Sequence, residues 1–284
     1  MRSGLFFILF LVISSNFFGQ DLTGFVNPFI GTTNYGTTNP GAVLPNGMMS
    51  VVPFNVMGSD KNKFDKDKQW WSTPYSYENK FFTGFSHVNL SGVGCPEAGS
   101  LLLMPTSGEL NVNYEEYGSG YAGEQASPGY YTNRLTKYGI LTEVSATTRT
   151  SIARFTFPKG HANILLNLGE GLTNESGAWM RRISNTEIEG MKVLGTFCYN
   201  PQAVFPIYFV MRVSKPPVTA GYWKKQREMT AEAAWDSTAG TRKIYTRYGR
   251  DIAGDDIGAY FSYDVKAGET IEVQIGVSFV STAN

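Results

Sequence analysis

Close to the C-terminus every second residue is apolar. Ile271, Val273, Ile275, Val277 and Phe279 alternate with Thr270, Glu272, Gln274, Gly276 and Ser278, and a period of two places one set on a single face of a strand. Ala259, Phe261, Tyr263 and Val265 repeat the pattern against Tyr260, Ser262 and Asp264. Residues 266–269, with Gly268 among them, read as the turn of a hairpin joining the two. The runs 101–104, 164–168 and 207–213 are apolar without alternation, as in strands covered on both faces. Residues 143–157 are long, and their apolar parity slips from Val144, Ala146 and Ile152 to Ala153, Phe155 and Phe157, which predicts a bulge or bend near Ile152. Stretches 186–197 and 241–248 add further strands.

Helical periodicity is poor. Its best case, 223–235, predicts one short surface helix. Many strands at short spacing, with Gly and Asn between them, specify an all-β chain: a large antiparallel β-sandwich with at most short helices. No internal repeat or low-complexity linker divides it, and the length of 21–284 suits one large all-β domain or two smaller ones. The sequence ends at Asn284 with no closing turn or polar tail, which predicts a truncated protein.

Residues 1–20 stand apart. Arg2 precedes an unbroken apolar run over 5–13, and Ser14, Ser15 and Asn16 break it. That is the pattern of a secretory signal peptide, cleaved near residue 20, and it is too short to span a bilayer. No later segment is apolar enough for a membrane span. The expected destination is outside the cytoplasm, periplasmic or extracellular. There Cys95 and Cys198, the two cysteines of the chain, have the conditions to pair.

The charge balance narrows the partners. The chain carries 24 Lys+Arg against 24 Asp+Glu, and no basic stripe stands out. Lys61, Lys63, Lys66 and Lys68 are interleaved with Asp60, Asp65 and Asp67, the pattern of a solvated loop. Nucleic acid is therefore not an expected partner.

The densest chemistry lies in 81–105, FFTGFSHVNLSGVGCPEAGSLLLMP. An aromatic stretch and an apolar one flank a polar connection holding His87, Ser91, Gly92, Gly94 and Cys95. Glycines let the backbone turn tightly or approach a ligand. His87 has two readings, a hydrogen-bonding or acid–base group and a satisfied structural residue beside Phe85 and Val88. His161 is the other histidine and forms no zinc spacing with it. No GxSxG elbow or CxxC pair exists. Trp70 and Trp71 follow a charged loop. Their rings suit the C–H faces of a sugar, though tryptophan also serves as core. The proline- and glycine-rich segment 26–54 reads as a loop wrapping an edge of the sandwich or, over 34–45, as the rim of a pocket. Carboxylates for glycoside chemistry include Asp60, Glu78, Glu97 and Glu170, and spacing singles out no pair.

Taken in order, VNPFIGT at 26–32, PGAVLPNGM at 40–48, GFSHVNLSGVGC at 84–95, LLLMP at 101–105, FTFP at 155–158 and IGVSFVSTAN at 275–284 resemble the N-terminal domain of glycoside hydrolase family 92, the exo-acting α-mannosidases. The resemblance implies a galactose-mutarotase-like supersandwich that packs on a C-terminal (α/α)6 barrel absent from this sequence. It also implies calcium-dependent, inverting hydrolysis of α-mannoside glycans, with acid and base on the helical domain and no catalytic residue here. By the same resemblance Trp70, Trp71, His87, Ser91, Gly92, Gly94 and Cys95 contact substrate or shape the pocket wall. Asn39, Asn46 and Ser100 depart from the family pattern. The alternative is a stand-alone carbohydrate-binding sandwich without catalysis.

Overall fold

The computed structural model describes residues 22–33, 36–57, 62, 72–92, 94–95, 97–172, 177–195, 200, 202–226, 241–246 and 251–283. Among them the chain is built from strands, with one 3-10 turn at Thr23–Phe25. Two antiparallel sheets face each other. The first holds, in spatial order, β1 (Ala42–Val43), β2 (Ser50–Phe54), β4 (Gly84–Asn89), β5 (Ala98–Ser107), β10 (Gly160–Asn167), β17 (Ile257–Val265), β14 (Thr219–Gln226) and β15 (Thr241–Thr246). The second holds β16 (Ile252–Gly254), β11 (Ala178–Arg182), β12 (Glu187–Leu194), β13 (Phe205–Val213), β18 (Glu269–Ser278), β9 (Thr150–Phe157), β8 (Ile140–Ala146), β7 (Tyr130–Leu135), β6 (Ser119–Ser127) and β3 (Phe81–Phe82). The all-β sandwich expected from the alternating pattern is the fold observed.

In the second sheet buried and more exposed positions alternate along β8, β9 and β18, with mainly apolar residues inward, joined by Thr142 and Ser151, and mainly polar ones outward, joined by Leu141 and Ile152, the economy of a sheet with one wet face. The first sheet differs. β2, β5 and most of β4 are buried on both sides, because loops cover its outer face. Asn163 and Asn167 of β10 donate to the Gly108 carbonyl at 3.1 Å and to the Tyr117 hydroxyl at 3.2 Å, and so hold the segment 108–117 over it. Between the sheets Phe85 of β4 meets Tyr131 of β7 edge-on at 5.9 Å and stacks on Phe155 of β9 at 6.4 Å.

Several local expectations are corrected. β17 and β18 are joined by the expected turn at Gly268, but they do not pair: β17 belongs to the first sheet and β18 to the second. The connection is a crossover between layers. It lies beside the β9–β10 crossover, where Gly268 N–H donates to the Phe157 carbonyl at 2.9 Å. The parity slip in 143–157 is a hairpin, not a bulge. β8 and β9 pair through a turn at 147–149 that Thr147 closes with a hydrogen bond to Thr150 O. Residues 207–213 alternate as a one-sided strand. The helix expected over 223–235 is overturned where the chain is described, since 223–226 continue β14; the remainder lies outside the described residues.

Candidate functional site

β4 delivers the chain to the turn that the sequence singles out. Its last residue, Asn89, is fastened on every side. The Asn89 side-chain amide donates to the Ser86 carbonyl at 3.1 Å and to Ser50 Oγ at 3.2 Å, and its Oδ1 accepts from Ser86 Oγ at 2.8 Å. Ser91 and Gly92 then emerge into solvent, with Gly92 at φ 77° and open space around both Gly92 and Gly94. The Gly92 N–H donates to the Thr37 carbonyl at 2.7 Å, which ties this turn to the N-terminal arm. Cys95, partly exposed, stands in a disulfide. The other cysteine of the chain, Cys198, lies outside the described residues.

The backbone around this turn is strained. Val88 (φ 57°), Ala98 (57°) and Leu101 (53°) occupy the left-handed region without being glycine, and Gly99 (62°) sits among them. Such a conformation costs roughly 1–2 kcal/mol for an ordinary L-residue and is rarest for a β-branched one such as Val88. Strain of this kind persists where surrounding structure enforces it, and it gathers at functional sites. The register between β4 and β5 also shifts between Phe85 and His87.

His87 is fully buried between β2 and β5. Its Nδ1 lies 2.8 Å from the Leu101 carbonyl, which can only accept, so the proton is on Nδ1. Burial pushes the pKa down to about 4, against smaller opposing contributions from the backbone acceptors of Leu101 and Phe85. The imidazole is neutral at ordinary pH. Its Nε2, and Ser100 Oγ on the paired position of β5, are buried without a hydrogen-bond partner among the described residues. His87 therefore belongs to the wall beneath the turn and presents no exposed acid or base.

The structure thus brings His87, Ser91, Gly92, Gly94 and Cys95 together on β4 and the connection that follows it, between the inner strands β4 and β5 of the first sheet. Trp70 and Trp71 lie outside the described residues. Of the carboxylates, Glu97 is buried, Glu78 accepts from Ser76 Oγ at 2.6 Å and Asp60 lies outside the described residues. Glu170 lies 3.6 Å from Arg242 Nη2, which is also 3.2 Å from Asp256. Burial, then the Asp256 charge, pushes Glu170 up to about 7, with Arg242 and Lys225 opposing. Its loop reaches the strained corner, because Gly99 packs against Leu172. Among the described residues no group of three or more His, Cys, Asp or Glu side chains is placed to hold a metal, and no helix is long and apolar enough to cross a membrane.

Sequence reasoning missed Asn89 and Thr37. An Asn closing an apolar strand just before Ser-Gly was the available signal for the first. A backbone carbonyl leaves none for the second.

The fold is thus a two-layered antiparallel sandwich with a strained, glycine-lined rim. A model of the glycosyl hydrolase family 92 N-terminal domain matches residues 25–278, and the chain belongs to that family. A family 92 α-mannosidase from Bacteroides thetaiotaomicron superposes with a TM-score of 0.75 and 27% identity over 92% of this chain. The same enzyme has been solved with mannoimidazole. An inverting family 92 mannosidase from that organism shares the fold at a TM-score of 0.68 and 20% identity. An uncharacterised secreted glycosidase of Arthroderma benhamiae is 30% identical over 151 residues. The chain spans 34% of the first mannosidase and 18% of the fungal protein.

Proposed function

We propose that this chain is the N-terminal sandwich of an exported, inverting α-mannosidase that removes α-mannosyl residues from glycans. In this reading it forms one wall of the mannose pocket through Trp70, Trp71 and the turn Ser91, Gly92, Gly94 and Cys95, with His87 setting the wall from beneath. The general acid and base belong to a helical domain that packs against it. The observation that carries the reading is the likeness to the α-mannosidase over nearly the whole chain, at 27% identity.

The geometry supports this division of labour. Inversion needs two carboxyl groups about 6.5–9.5 Å apart across a water. At the described rim Glu97 is buried and His87 is neutral and enclosed, so the rim is suited to shape and contact. Calcium dependence belongs to the complete enzyme. Among the described residues no three His, Cys, Asp or Glu side chains are grouped to hold the ion. Export is supported by the apolar run over 5–13 behind Arg2, by the disulfide at Cys95 and by the secreted relative.

The test compares this chain with a longer protein that includes the helical domain, using release of mannose from α-mannobiosides. The longer protein is expected to turn over and to lose activity on chelation, and the 284-residue chain to show none. Hydrolysis by the 284-residue chain on its own would overturn the assignment of acid and base elsewhere.

A further inference from the structure

A second hollow lies away from the Gly92 turn, between the N-terminal arm and the edge strands β3 and β6. Its volume is ≈ 590 Å³, within the range of small-molecule sites. Local chain geometry makes it. The register of β6 against β7 shifts between Ala122 and Gln125, Gly123 takes φ 63°, and nothing lies within 4 Å of where its Cβ would stand. This is a bulge, a device that re-aims side chains at sheet edges. Glu124, next in sequence, lines the hollow and accepts from the Tyr131 hydroxyl at 2.8 Å.

The walls are aromatic and held in place. Tyr77, 46% exposed, meets Phe29 edge-on at 5.8 Å. The Tyr77 N–H donates to the Thr32 carbonyl at 3.0 Å, which fixes loop and arm together. Tyr121 forms the floor; its hydroxyl donates to the Asn79 carbonyl at 2.8 Å and accepts from the Asn55 amide at 2.9 Å. Lys80 Nζ sits 4.0 Å from the Tyr77 ring centroid and 3.5 Å from Glu124 Oε2.

The chemistry of these groups selects a ligand class. Lys80 and Glu124 cancel in charge, so neither an anion nor a cation is favoured. Together they offer an ammonium donor beside a carboxylate acceptor, the pair that adjacent hydroxyls require. Tyr77 and Phe29 supply apolar surface for C–H groups. Among the described residues Glu124 is the one carboxylate lining the hollow, and glycoside cleavage takes two. The geometry points to a second saccharide site, one that binds a neutral pyranose of the glycan without cleaving it. This rests on the reading of the chain as a glycan-handling domain.

The test is calorimetric titration of the 284-residue chain with mannobiose, maltose and lactose. Three variants are compared: Tyr77→Ala, Ala122→Trp, which fills the hollow from an exposed position, and Trp70→Ala in the proposed mannose wall. Circular dichroism confirms folding of each. Binding of maltose or lactose weakened about tenfold or more by both Tyr77→Ala and Ala122→Trp is expected, while Trp70→Ala, in the proposed mannose wall, alters only the mannobiose titration. Retention in both hollow variants with loss in Trp70→Ala would overturn the second site and leave the mannosidase reading intact. Absence of binding by the unaltered chain to all three sugars at tens of millimolar would also overturn it. Binding of maltose or lactose that the hollow variants abolish would uphold the site even if the longer protein proved inactive on mannosides.

Discussion

The ladder β7–β8–β9–β18–β13 and the corner where β4 turns into β5 use similar residues to opposite ends. In the ladder inward and outward residues alternate, and β8, β9 and β18 pair with no register shift from one strand to the next. In the corner three non-glycine residues sit in left-handed backbone, a register shifts, and a histidine is sealed away from water. Relaxed geometry stores stability in packing. Strained geometry fixes the direction in which a loop leaves the sheet, and the corner leaves toward the site.

The largest effect should come from removing a ring that serves both regions. Phe155, fully buried in β9, stacks against Phe85 of β4. Phe155→Ala is expected to lower the unfolding free energy by about 3–5 kcal/mol, read from urea denaturation. A loss below ~1 kcal/mol would mean that the sheets do not share one core.

The corner, unlike the ladder, should announce itself through pH. His87 titrates near 6.5 when unfolded and about 4 when folded. As pH falls through that window the unfolded chain takes up a proton that the folded chain refuses, so stability drops by about 3 kcal/mol. Glu170 acts in reverse. Its carboxyl titrates near 4.5 unfolded and about 7 folded, so the folded chain holds the extra proton and stability drops by a similar amount as pH rises through that window. Between pH 4.5 and 6.5 the two slopes oppose. The profile of Glu170→Gln should therefore climb with pH by about 3 kcal/mol, and that of His87→Gln should descend. Parallel profiles for the two variants would show that neither group is held as described.

A smaller effect tests close packing in the first sheet. Trp223, fully buried, lies across its register partner Gly258, where an added Cβ would stand 1.9 Å from the indole. Tyr260 lies over Gly221 and Phe209 over Gly190 in the same cross-strand relation. Gly258→Ala should cost roughly 1–3 kcal/mol by overpacking, visible as a lowered thermal midpoint.

These pairs show where sequence reading ran out. Alternation in β17 and β18 revealed two strands with the correct inward faces, because burial of one face is a local property. It could not reveal that they join different sheets: a tight turn at Gly268 serves a hairpin and a crossover equally well. The 223–235 stretch misled for a related reason. Lys224, Lys225 and Gln226 favour helix, but Trp223 has a glycine to cover on the neighbouring strand, and tertiary packing overrides a weak propensity. At the candidate site, the turn through Ser91, Gly92, Gly94 and Cys95 was legible as a turn, because exposed glycines mark one. The sealing of His87 was not, since a histidine next to Phe85 and Val88 reads the same whether a covering strand is present or not.

The smallest expected effect isolates the strain itself. Ala153 and Ala98 are both buried alanines, the first in the regular strand β9 and the second at φ 57° in the corner. Replacing Ala153 by Gly removes a methyl, about 0.8 kcal/mol, and adds backbone freedom to the unfolded chain, about 0.5–1 kcal/mol. The same losses apply at Ala98, but glycine also relieves a left-handed conformation that costs alanine roughly 1–2 kcal/mol. Ala98→Gly should therefore be nearly neutral while Ala153→Gly destabilises by about 1.5 kcal/mol. Equal losses in urea unfolding would mean that the corner carries no stored strain, and the contrast between the two regions would reduce to one of shape.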